Sequence, residues 1–106
     1  MGVLYYSAAP PVVIPDRLLA HLKIVITAKL RRDERFTLSF APSDSDAGAT
    51  STIWLGSAIP LRFEFDGDQP EALDPLVLQQ LAAEANSTRG IVLRLEPASV
   101  PALAGA

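Results

Sequence analysis

Few side chains in this sequence have the type and spacing that chemistry requires. Asp44-x-Asp46-x-Gly48 opens like a calcium loop, whose run of oxygen ligands must end in a bidentate glutamate at position twelve. That position is Leu55, so the stretch reads as a solvated loop. Glu64, Asp66 and Asp68 invite a paired-carboxylate site for hydrolysis or for a metal. Glu64 and Asp66 share a strand face, but Asp68 belongs to the next turn, and surface charge is the simpler reading. His21 is the single histidine, mid-helix beside Arg17 and Ile24. A catalytic histidine needs an orienting acid and a nucleophile within hydrogen-bond reach, and its neighbours supply neither. It reads as a helix-surface residue, and no catalytic residue is assigned.

Two groups of residues point to binding instead. Lys29, Arg31, Arg32 and Arg35 form the basic cluster of the chain and are the candidate nucleic-acid contact. Asp33 and Glu34 interrupt it, so a solvated helix end is the simpler account. Ile24 and Ala28 fall opposite Leu22 and Val25 on the same helix, alongside Ala20 and Thr27, where a polar face is expected. Either Ile24 is a singly exposed aliphatic or this side meets another segment or a second copy of the chain. Trp54 alternates with Ile53 and Leu55 and would share the open face of a sheet with Arg62 and Glu64. It is either exposed to a partner or packed under another part of its own chain. Ile24, Ala28, Trp54 and Arg62 are therefore the candidate partner surface. Asn86-Ser87-Thr88 matches a glycosylation acceptor, which has meaning only on export; helix termination is its expected role.

Composition narrows the classes. The chain has 106 residues, 49% hydrophobic and 20% charged, which suits one folded domain with one core. A formal charge of −3 argues against a binder driven by counterion release from nucleic acid, although a local basic patch remains allowed. Without cysteine there are no disulfides, thiolate metal sites or cysteine nucleophiles, and one histidine cannot build a histidine-rich zinc site. No metal or cofactor is expected. No stretch approaches a membrane span or a secretory leader, so the expected compartment is the cytoplasm.

The elements that position these residues follow from periodicity. Pro15–Arg32 carries Leu18, Leu22, Val25, Ile26 and Lys29 at helical spacing, widened by Leu19 and Leu30, with Asp16 expected to cap its first turn. Val3–Tyr6 and Val12–Ile14 read as a hairpin around Ser7–Pro11. In Arg35–Ala41, Phe36, Leu38 and Phe40 alternate with Arg35, Thr37 and Ser39. Strands at Ser51–Gly56 and Leu61–Asp66 follow, the latter with Leu61, Phe63 and Phe65 inward. With no room for crossover helices, these three strands are expected to form an antiparallel meander. Asp74-Pro75 is a strong helix start, and Val77, Leu78, Leu81, Ala82 and Ala85 give the apolar stripe. Ile91, Leu93 and Leu95 mark a last strand. The expected fold is α+β: a single, mostly antiparallel sheet with two helices on one face, in the order ββαβββαβ. Residues 1–96 form the domain, and 97–106 a flexible Pro/Ala-rich tail.

Three blocks, GVLYY, DRLLAHLK and STIWL…IPLRFEFD, together resemble a family of short actinobacterial proteins of unknown function. Many of its members bear the automatic label "ATP-dependent DNA ligase". The resemblance covers roughly residues 1–96. Members commonly have His-Pro after the Trp-Leu pair, where this chain departs with Gly56-Ser57. The label implies nucleotidyl transfer through a lysine in Lys-x-Asp-Gly, yet the lysines open Lys23-Ile24-Val25 and Lys29-Leu30-Arg31. Nor is there a phosphate-cradling glycine loop. The reading is a non-enzymatic cytoplasmic domain acting through protein contacts, expected to be a homodimer. The alternative is a DNA-associated accessory protein using the basic cluster.

Overall fold

The structure, a computed structural model, describes residues 1–44 and 51–100. Asp46 and Gly48 of the calcium-like stretch lie outside the described residues, as does 101–106. Strands β1 (Gly2–Tyr6) and β2 (Val12–Ile14) form the expected antiparallel hairpin, with Gly2 opposite Ile14 and Leu4 opposite Val12. Helix α1 (Asp16–Arg31) follows, then β3 (Phe36–Pro42), β4 (Ser51–Leu55), β5 (Leu61–Glu64), α2 (Pro75–Asn86) and β6 (Ile91–Leu95). The class is α+β and the elements follow one another as the periodicity predicts. The sheet does not.

Instead of a single sheet the described residues form two, each of three strands, in the orders β2-β1-β5 and β4-β3-β6. The expected meander breaks at its second turn: β5 pairs with β1 rather than β4. A hairpin leaves β1 with one open edge, and β5 fills it with Leu4 opposite Phe63 and Tyr6 opposite Leu61. The connection after β4 turns on an Ile59 N–H to Gly56 carbonyl bond, and Ser7 N–H then donates to the Pro60 carbonyl at 2.9 Å. That bond clips the entry of β5 to the end of β1. The two sheets meet where the Tyr6 hydroxyl donates to the Trp54 carbonyl at 2.7 Å.

The second correction concerns direction. β6 lies parallel to β3, with Leu38 opposite Ile91 and Phe40 opposite Leu93, because the chain returns through α2 before pairing. The turn into β6 needs Gly90, whose φ of 73° is strained for any other residue. A side chain there would also run into the Thr37 hydroxyl and carbonyl. β3 is thus the central strand. Even Ser39 on its outer side is buried, with its hydroxyl 2.8 Å from that of Thr52.

The two sheets and two helices nevertheless share one core. Leu4, Ile14, Leu22, Ile26, Phe36, Leu38, Leu81 and Ile91 belong to a single buried cluster, with Phe63 packed against it. Helix α1 packs on β1, α2 packs on β3 and β6, and the helices pack on each other. Gly2 marks the tightest approach of α1, since a Cβ there would lie 2.5 Å from Leu19 Cδ2. The start of the expected tail is a short 3-10 turn, Pro97–Ser99, and Val100 packs against the core.

Candidate functional site

Helix α1 uses two flanks, one toward the sheets and one toward α2. This explains two residues that sequence reasoning placed at the surface. His21 is only 1% exposed. Its Nδ1 lies 2.6 Å from the Arg17 carbonyl and its Nε2 2.8 Å from the Asp74 amide nitrogen. A carbonyl can only accept and a backbone N–H can only donate, so the imidazole is neutral with its proton on Nδ1. The histidine is a fastening for the start of α2, where the Asp74 side chain in turn accepts from Leu76 N–H at 2.9 Å. Lys29, 6% exposed, does the same at the other end: Nζ donates to Asn86 Oδ1 at 2.5 Å and pairs with Glu34 at 3.0 Å. Lys29 and then Arg32 hold the Glu34 carboxyl below its ordinary pKa. Both fastenings run in the same chain direction, so α1 and α2 are parallel.

The end of the molecule where both helices finish contains an open cleft of about 470 Å³. Lys29 and Glu34 line it together with Arg35, Thr37, Trp54 and Asn86. Trp54, for which the sequence left two placements open, is 53% exposed on the outer side of β4. It stands opposite Thr37 in the β3–β4 register, and Thr37 donates its hydroxyl proton to the Arg89 carbonyl at 3.1 Å. The indole edge and the stem of Arg35 both flank Gly56: a Cβ there would lie 3.7 Å from Arg35 Cγ and 3.9 Å from Trp54 Nε1. Among the described residues Arg35 has no ion-pair partner and the indole N–H has no acceptor.

A second depression, of about 360 Å³, lies along the outer side of α1. Ala20, Lys23 and Ile24 form one wall, and Phe65, Pro70 and Leu73 the other. Ile24 is 45% exposed, Leu73 48% and Phe65 36%, so three large apolar side chains meet water around one groove. Phe65 was expected to face inward; β5 ends at Glu64, the alternation ends with it, and Phe65 turns outward beneath the Lys23 ammonium at 5.9 Å. The groove rim is acidic, with Asp16, Asp68 and Glu71.

A family of domains of unknown function, DUF7882, matches residues 1–96. The chain belongs to this family. No curated protein and no solved structure matches it.

In this DUF7882 domain the residues singled out from sequence lie in separate places. Trp54 and Arg35 line the cleft, Ile24 lines the groove with Ala28 exposed one turn further along α1, and Arg62 lies elsewhere. The Arg62 guanidinium stacks over Tyr5 at 4.2 Å and stands 3.6 Å from Glu64. The basic cluster is divided: Lys29 is buried, Arg32 pairs with Glu34 at 3.0 Å, and Arg31 and Arg35 have no ion pair among the described residues. The carboxylates are divided too. Asp66 takes the N-terminal ammonium at 3.3 Å. Asp16 does not cap its own helix; it accepts from Asp66 N–H and from Gly67 N–H at 2.9 Å, tying the turn after β5 to the start of α1. The Gly67 and Asp66 amides hold its carboxyl below the ordinary value. Among the described residues no three His, Cys, Asp or Glu side chains gather to hold a metal, and no helix is long and apolar enough to cross a membrane. Sequence reasoning missed Leu73, Phe65 and Asn86 as site residues. Only Phe65 carried a signal, its position beside the Asp66-Gly67 turn.

Proposed function

We propose that this is a non-enzymatic cytoplasmic domain that works through protein contacts, pairing with a second copy of itself across the outer side of α1. The observation that carries this reading is the convergence of Ile24, Phe65 and Leu73 on one groove, an apolar patch of the kind that marks an interaction surface. A second copy can occupy the groove if opposite charges are brought face to face across it. Lys23 is the cation of a lining whose other charges, Asp16, Asp68 and Glu71, are negative. A two-fold arrangement sets the ammonium of each protomer against the carboxylates of its partner. Ala28, one turn beyond Ile24, leaves room for close approach. The groups a hydrolytic site would use support the same reading, since His21, Asp16 and Asp66 are all held by structural partners.

Sedimentation of the intact chain tests the proposal. The expected result is a dimer at high micromolar concentration that Ile24→Glu converts to a monomer, with the variant matching the Tm of the wild-type chain at a dilution where both are monomeric, because Ile24 is exposed in the single chain. A wild-type chain that stays monomeric at that concentration overturns it.

A DNA-associated role, in keeping with the label borne by the actinobacterial proteins this chain resembles, has narrower support. It rests on Arg31 and Arg35, because Lys29 is neutralised by Glu34. Salt-dependent DNA binding lost on replacing Arg31 and Arg35 would establish it; absence of binding at low salt would end it.

A further inference from the structure

The cleft at the shared end of α1 and α2 is separate from the pairing groove and has its own chemistry. Its charged lining is Lys29, Arg35 and Glu34, a local excess of positive charge on a chain whose formal charge is −3. The free polar groups along it are largely donors. Two of the three Lys29 N–H groups go to Asn86 and Glu34, which leaves the third with no acceptor among the described residues. Asn86 accepts from Lys29 through Oδ1, and its amide N–H groups have no acceptor among the described residues. Arg35 and the Trp54 indole N–H are likewise without partners among the described residues. At the carbonyl ends of the helices, which would repel an anion, part of the negative charge is taken up: Lys29 and Leu30 accept from the Glu34 and Asp33 amides, and Glu84 from the Ser87 amide.

We infer that this cleft binds a small planar anion, an aromatic ring bearing a carboxylate or a phosphate. The ring lies on the exposed face of Trp54 and the anion takes hydrogen bonds from Arg35, assisted by Asn86. Each feature alone would serve a simpler ligand: an inorganic anion makes no use of Trp54, and an uncharged ring makes no use of Arg35. Together they select a molecule with both parts.

Trp54 is the one tryptophan in the chain, so its fluorescence reads the site directly. The intact protein is titrated with benzoate, phenyl phosphate, inorganic phosphate and uncharged benzamide. Saturable quenching is expected with benzoate or phenyl phosphate, and the tighter of the two assigns the anion as carboxylate or phosphate. Inorganic phosphate and benzamide are expected to bind far more weakly. Arg35→Gln should weaken the aromatic anion by roughly tenfold or more while leaving Tm unchanged, because Arg35 is exposed. Arg35→Lys should recover part of the loss. The inference is overturned by quenching that does not saturate, by equal responses to benzoate and benzamide, or by equal affinity in Arg35→Gln. A response to an oligonucleotide with none to the small anions also overturns it, in favour of a nucleic-acid surface. None of these readouts depends on whether the chain pairs with itself.

Discussion

His21 and Lys29 show how a polar residue can be fixed inside a fold by two contacts that hydropathy cannot register. Replacing His21 by Leu removes the acceptor of the Asp74 N–H while keeping the volume apolar, and should cost about 1–3 kcal/mol in denaturant unfolding. Lys29→Met, which strips Asn86 and Glu34 of a buried partner, should cost a similar amount, roughly 1–3 kcal/mol. Loss of less than half a kilocalorie in either variant would show the contact to be dispensable. Neither residue was legible as buried. On the helical wheel His21 sits at the margin of the apolar arc, and only the arrival of α2 along that margin covers it. Lys29 did fall on the apolar stripe by spacing, yet its charge argued for solvent. Trp54 was legible only as an alternative, because alternation assigns a side chain to a face without saying what covers that face.

At the scale of elements, the six strands and two helices were legible, because each carries its own period: two along β3 and β6, 3.6 along α1. Pairing was not, since it depends on which open edge a strand meets first. The five residues Gly56–Pro60 are long enough to make a hairpin with β4 or to lead across to β1, and the Ser7–Pro60 bond decides for β1. The parallel β3–β6 pair has a local requirement that can be tested. Gly90→Ala places a Cβ against the Thr37 hydroxyl at a positive φ and should lower stability by about 1–3 kcal/mol, read as a drop in Tm. An unchanged Tm would mean that the turn can relax without disturbing β6. The Asp74 cap was read correctly from Asp-Pro, and Asp74→Ala should cost about 1 kcal/mol through the lost bond to Leu76.

At the scale of the whole molecule, acid should loosen the two ends of α1 together. Asp16 ties its start to the turn after β5, and Glu34 closes its end against Lys29 and Arg32. Both carboxyls have folded pKa values below the ordinary 3.8 and 4.5. Their contribution is therefore fully present above those values and is lost as pH falls below them and through the lower folded values, because the unfolded chain takes up protons first. Tm measured against pH should decline on that acid side, and Asp16→Asn with Glu34→Gln should flatten the decline; an equally steep fall in the double variant would assign it to other groups. The parallel packing of the helices has a consequence for the history of such a sequence. Because His21 and Lys29 grip opposite ends of α2, the distance between Asp74 and Asn86 is gauged against α1. One residue inserted between them would swing Asn86 by about 100° and advance it by about 1.5 Å, away from its lysine. Exchanges along the outward side of α2 are free to accumulate, whereas its length is not.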